Sequence, residues 1–312
     1  MSIINFLNKE DIIITDGPME TRVIYNTDIP MDRDGSIFRL VFSSPERETL
    51  ANFYRDDLNI ASKYHQAIIL NTPTTRASEE RIAALGFDPE TTAQINRDCV
   101  NMICDIRAEY PAFADKIMIN GPVGPKYDAY DASHALSAHK ARDYHTPQIH
   151  GLIEGGVDLV SGVVFPGVEE ALGVAQCCSD FDFPYSIGFV LTREGRLLDG
   201  MHITDAIQKI DSEAGKKPLY YMIICTHTSI AQQALTPYKD IYKRIYGIKA
   251  NGSGKSPEEL AKLDKPEADP PEVFAENVMA LHDAFGFKIL GGCCGTDSRH
   301  IEALCKMIKS NT

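Results

Sequence analysis

Short apolar runs rich in β-branched residues alternate with longer amphipathic stretches eight times along this chain, and that rhythm limits the folds open to it. The candidate strands are residues 11–15, 67–70, 116–119, 157–164, 185–190, 219–224, 245–250 and 287–290. Apolar residues recur at helical spacing over 47–63, 91–109, 137–153, 169–179, 202–213, 271–285 and 299–309. Capping residues mark several helix starts: Ser43 or Ser44 before Pro45, Ser256 before Pro257, and Asp297 or Ser298 before Arg299. Eight βα units in 312 residues predict a closed parallel sheet of the α/β class, a single (β/α)8 TIM barrel. No low-complexity linker divides the chain, so residues 1–312 read as one domain. The most irregular stretch, 251–271, reads as a long loop and a short helix after strand seven.

Charge narrows the function classes. With 31 Lys+Arg against 44 Asp+Glu, the net charge is −13, which repels nucleic acids and anionic membranes. No run of 18 apolar residues offers a membrane span, and the first ten residues lack the pattern of a secretory signal. The expectation is a cytoplasmic protein acting on small molecules, with no nucleic-acid or membrane partner, and free to assemble as a homo-oligomer.

Of the eight cysteines, Cys99, Cys104 and Cys305 fall in apolar-periodic runs and read as small buried hydrophobes, as do Cys177 and Cys178 at the end of a helix. Cys225, Cys293 and Cys294 are placed differently. In a TIM barrel the chemistry gathers where the strands end. The residues expected there are Asp16 and Gly17 after strand one, Asn71 and Thr72 after two, 120–125 after three, Phe165 to Gly167 after four, Cys225 at six, Asn251 and Gly252 after seven, and 291–296 after eight. Cys225 precedes Cys293 by 68 residues, too far for a local zinc finger, but strands six and eight are near neighbours around a closed barrel. Three thiolates on one rim suit Zn²⁺ and leave a fourth tetrahedral position open. The flanking Gly291, Gly292 and Gly295 are expected to free the backbone so that two adjacent cysteines both turn toward one ion. Three anionic sulfurs make a divalent cation a weak Lewis acid, which favours activation of a thiol over hydrolysis and points to alkyl transfer to sulfur.

The motif GGCCGT at 291–296 with the distant Cys225 resembles the zinc-dependent homocysteine S-methyltransferases. ITDGPMET at 14–21, NGPVGP at 120–125 and HTPQIHGLIEGGVDLV at 145–160 are similar to further family segments, so the resemblance runs from about residue 11 to 309. It implies the (β/α)8 fold, zinc held by Cys225, Cys293 and Cys294, a substrate-pocket role for Asp16 and Gly17, and methylation of homocysteine to methionine. The partners would be a small thiol acceptor and a small methyl donor.

The departures from the family pattern bear on the acceptor. Phe165-Pro166 is read at the place where the family puts a Glu-Thr pair that holds the acceptor's amino group, and Ile224 replaces an Asn before the first zinc cysteine. Pro18 and Glu20 stand where the opening motif has glycines. Glu20 and Glu169 are the candidates for the lost carboxylate, and Arg76 for pairing with a substrate carboxylate. Tyr127, Tyr130 and Tyr144 are candidates for cation–π contact with an onium donor. A sulfonium or betaine-like donor fits a lone barrel better than a folate. Three other readings stay open: methylation of a different thiol or selenol, a non-catalytic zinc or thiol-binding barrel, and a thiol redox protein with a reversible disulfide among these cysteines. Cys225 with His227 as a nucleophile pair, and the Walker-like end of 252–256, are set aside.

Overall fold

In the computed structural model the described residues are 2–32, 35–237, 243–255, 259 and 265–311. Eight strands close a parallel barrel in sequence order. They are β1 (Ile13–Thr15), β2 (Ile68–Asn71), β3 (Ile117–Val123), β4 (Leu159–Phe165), β5 (Tyr185–Phe189), β6 (Tyr220–His227), β7 (Ile245–Asn251) and β8 (Ile289–Gly292). Each expected strand window overlaps one of them. Both faces of these strands are covered, which explains the continuous apolar runs: all seven residues of β3 are buried.

The helices follow from equally local signals. Helix α3 (Ser44–Tyr64) starts with Pro45 in its first turn and Glu46 near the positive end of its dipole, and it ends where His65 turns left-handed. Its buried face, Leu50, Ala51, Tyr54, Leu58 and Ala61, follows the helical period. The other expected helices are α5 (Thr92–Ala108), α6 (Ala138–Gly155), α7 (Val168–Asp180), α8 (Ile203–Glu213), α10 (Pro271–Phe285) and α11 (Ser298–Asn311). Four short helices carried no pattern strong enough to foresee: α1 (Ile3–Lys9), α2 (Met19–Asn26), α4 (Glu79–Ala84) and α9 (Thr228–Leu235). The Ser256 cap and the body of the short helix expected after strand seven lie outside the described residues. Ile3, Phe6 and Leu7 of α1 pack with Ile13, Met118, Leu159 and Ile289 inside the barrel, so α1 closes its amino-terminal end. The opposite end is left for chemistry.

Gly247 of β7 pairs with Ile289 of β8, and a Cβ there would overlap the Ile289 carbonyl. Gly247→Ala is therefore expected to lower stability by about 1–3 kcal/mol, read as a lower urea midpoint. An unchanged midpoint would show that the β7–β8 pair tolerates separation.

Candidate metal centre and cavity

A regular strand sends successive side chains to opposite faces, so β6 cannot present both Ile224 and Cys225 to the barrel mouth without a break. The break is a bulge. Ile224 pairs with Lys249 and Thr226 with Ala250, leaving Cys225 as the extra residue, with φ of 53°. Both Ile224 and Cys225 thereby face the cavity. A left-handed cysteine is uncommon, and its place in a cavity wall marks strain kept at a functional position.

The other two cysteines follow β8. Cys293 N–H donates to Ala250 O at 2.6 Å, and Gly252 N–H donates to Cys294 O at 2.9 Å, which ties this turn to the end of β7. Thr296 closes the turn from its hydroxyl to Cys293 O at 2.8 Å. Of the three glycines, Gly295 supplies the left-handed conformation, at φ 86°; Gly291 and Gly292 instead make room for the side chains of Thr15 and Thr296.

The three sulfurs form one cluster, all within 4.8 Å of one another. Cys225 and Cys293 are joined as a disulfide, and Cys294 Sγ lies 3.7 Å from Cys225 Sγ and 4.0 Å from Cys293 Sγ. Sulfurs sharing a tetrahedral ion at 2.3 Å stand about 3.8 Å apart, so both Cys294 separations suit such an ion. The donor set fits a thiophilic metal once the Cys225–Cys293 pair is reduced, because a sulfur in a disulfide cannot ligate as thiolate.

Below the cluster lies a cavity of about 360 Å³. A belt of polar side chains runs around its wall from strand to strand. Asn71 donates to Asp16, Asn120 Nδ2 donates to Asn71 Oδ1 at 2.7 Å, Ser161 Oγ donates to Asn120 Oδ1 at 2.8 Å, and Ser161 and Ser186 hydroxyls meet at 2.6 Å. On the other side Lys249 Nζ reaches Asp16 Oδ1 at 3.0 Å. Asn71 and Asn120 were expected on this rim; Lys249, Ser161 and Ser186 were not foreseen. A lysine inside the apolar run IYGIKA was the visible signal, since a charge in a barrel strand needs a partner.

Asp16 is fully buried and Gly17 N–H donates to Asp57 Oδ2 at 3.0 Å. Asp57, itself fully buried, is held by Arg22 at 2.9 Å. Burial pushes its carboxyl up to about 6, with Arg22 and the Gly17 N–H pulling the other way. Glu20, in the first turn of α2, lines the cavity. Its carboxyl is raised by burial, against the pull of Lys249 and Arg76. Arg76 also lines the cavity and donates to Pro125 O at 3.1 Å and Tyr127 O at 3.0 Å, bracing the loop after β3.

Several expectations are corrected. Phe165 is buried against His145 and does not line the cavity; the wall at the end of β4 is Ser161, Val163 and Val164. A second bulge, with Val164 at φ 53°, produces this, so no carboxylate stands at that strand end. Glu169 is paired with Lys209 at 3.3 Å on the outer face of α7 and is not a substitute. Of the tyrosines, Tyr130 reaches the cavity, whereas Tyr127 and Tyr144 flank Lys126 at 5.1 and 4.8 Å. His227 turns away from the sulfurs, to Asp269 at 3.1 Å. Cys177 and Cys178 are buried in α7, as expected.

A model of the homocysteine S-methyltransferase family matches residues 13–308. The chain belongs to that family. The resemblance carried by GGCCGT and the distant Cys225 is thereby borne out, and family membership makes the chain a methyltransferase. Homocysteine S-methyltransferase YbgG of Bacillus subtilis (strain 168) is 23% identical over 265 residues, covering 77% of this chain and 78% of the relative. Homocysteine S-methyltransferase of Escherichia coli (strain K12) is 24% identical over 315 aligned positions, 96% of each chain. The metallated form of the homocysteine methyltransferase MmuM from Escherichia coli superimposes with a TM-score of 0.78 at 18% identity, covering 97% of this chain and 98% of that one. Its oxidized form gives 0.74 at 20% identity, covering 98% of each. At that identity the likeness is one of fold.

Among the described residues, no helix is long and apolar enough to cross a membrane.

Proposed function

We propose that this chain is a zinc-dependent S-methyltransferase that moves a methyl group from a small onium donor to the thiol of homocysteine. The observation that carries the reading is the convergence of Cys225, Cys293 and Cys294 at the mouth of a cavity that also holds Glu20, Lys249 and Arg76. Zinc, when bound by these thiolates, supplies a fourth position at which an acceptor sulfur is held deprotonated at neutral pH. The chain's own residues then do the positioning. Asp16 and Gly17 shape the pocket floor, fixed by Asn71 and Asp57. Glu20 takes the place of the absent strand-four carboxylate and pairs with the acceptor's ammonium. Arg76 holds the loop carrying Tyr130 over the opening, and the Tyr130 ring offers its face to the onium methyl. Chemically, the acceptor sulfur forms a bond to the methyl carbon while the donor's carbon–sulfur or carbon–nitrogen bond breaks, its electron pair staying with the neutral leaving group. Orientation at contact distance supplies much of the rate.

We read residues 1–312 as one catalytic unit and place it in the cytoplasm, where three free thiols stay reduced.

The test is calorimetric titration of L-homocysteine into reduced protein of verified one-to-one zinc content. The expected result is saturable binding that disappears when zinc is chelated, followed by methionine formation when a methylsulfonium or betaine is added. Saturable zinc without binding of homocysteine or any other thiol would leave only the non-catalytic barrel.

A further inference from the structure

Of the four charged side chains on the cavity wall, Lys249 is the one that the sequence left without a role, and its placement assigns it one. It stands on β7 opposite Ile224 of β6 and Gly291 of β8, so it lies one layer below the sulfur cluster. Lys249 Nζ reaches past β8 to Asp16, the residue that follows β1. Its side chain is 16% exposed, within a strand whose neighbours Ile248 and Ala250 are fully buried. An ammonium group carries three donors, and Asp16 takes one of them. The Asp16 carboxylate is in turn occupied: Asn71 N–H donates to Oδ2 at 2.9 Å, and both Asn71 Nδ2 and Lys249 donate to Oδ1.

The charges on the cavity wall point the same way. Among the described residues, its carboxylates and basic side chains are Asp16, Glu20, Arg76 and Lys249, two of each sign. A wall that carries both signs offers a partner to each end of a zwitterion. A thiol bearing an amine alone would forgo the donors that Lys249 keeps beyond its bond to Asp16, and with them one charge-assisted hydrogen bond.

We infer that Lys249 is a specificity-determining residue that binds the carboxylate of the thiol acceptor, so that the enzyme selects amino-acid thiols over simple aminothiols. This rests on the thiol-acceptor reading above and deepens it.

The experiment pairs two thiols with three proteins, all reduced and zinc-loaded, and reads affinity by calorimetry. L-homocysteine carries the carboxylate; 3-aminopropane-1-thiol keeps the sulfur and the ammonium but lacks it. Wild-type protein is expected to prefer homocysteine by about tenfold or more, the size of one charge-assisted hydrogen bond. Lys249→Gln should erase that preference, weakening homocysteine by about tenfold while leaving the aminothiol within about twofold. Lys249→Arg, which keeps the charge, should retain most of it. Equal affinity of wild-type protein for both thiols would overturn the assignment without any variant. So would an equal loss for both thiols in Lys249→Gln, which would make the lysine only a counter-ion for Asp16. If wild-type protein binds neither thiol, the acceptor reading itself is wrong and this inference goes with it.

Discussion

Cys225→Ser, Cys293→Ser and Cys294→Ser are each expected to bring metal content to background and to cut turnover by at least about 100-fold, with the barrel still folded. The activity bound is conservative, since changes to groups merely supporting a ligand already cost about 10–100-fold. Retention of fold follows from position: all three sulfurs sit at the carboxyl mouth of the barrel and line the cavity. The apolar interior beneath is filled by Ile13, Ile69, Met118, Leu159 and Ile289 whether or not the cysteines are present. Metal analysis under reductant, with thermal melting as the fold control, gives the answer. Full metal retention in the Cys225 and Cys293 variants would end the three-sulfur centre. Cys294→Ser separates the metal from the redox reading, because it removes a ligand while leaving the Cys225–Cys293 disulfide able to form.

The second large effect is expected at the buried pair behind the pocket. Asp57→Ala leaves Arg22, only 3% exposed, facing an empty space and the partly exposed Asp56 at 3.3 Å. Removing one member of a buried pair typically costs about 3–5 kcal/mol, because the remaining charge has lost both water and partner. Asp57→Ala also frees the Gly17 N–H, so the turn carrying Asp16 loosens and acceptor binding weakens with stability. Replacing the pair together, Arg22→Met with Asp57→Leu, separates the two consequences. Apolar replacement of both members is often neutral for stability, but it cannot restore the acceptor for Gly17. The double variant is expected to recover most of the lost denaturant midpoint while homocysteine binding stays weak. Recovery of both would mean that Gly17 needs no anchor.

How much of this was open to reading from the chain depends on how local each determinant is. The strands announced themselves because both faces of a parallel barrel strand are buried, and IIL at 68–70 or YYMII at 220–224 has no other stable use. The pairing of Cys225 with Cys293 and Cys294 across 68 residues was also legible, because eight regular units place strand ends on one rim. The reading went wrong where a single inserted residue decides direction. The sequence places Phe165 at the strand-four site position, but the bulge at Val164 turns Val163 and Val164 inward and Phe165 into the core. Tyr144 and Glu169 carry suitable chemistry and sit on helices facing away from the cavity, a matter of helix rotation that spacing alone leaves open.

The order and kind of the secondary elements, the barrel they form and the convergence of Cys225, Cys293 and Cys294 were set by residues whose periodicity and spacing act locally or through the barrel's symmetry. Which side chains share the cavity was decided only by tertiary structure. Two bulges aim Cys225 and Val164, Lys249 reaches from β7 past β8 to Asp16, and Asp57 comes from α3 to hold Gly17. Each of these joins strands or helices distant in sequence through one or two polar contacts. Such contacts have no periodic signature, because a hydrogen bond depends on fractions of an ångström in three dimensions.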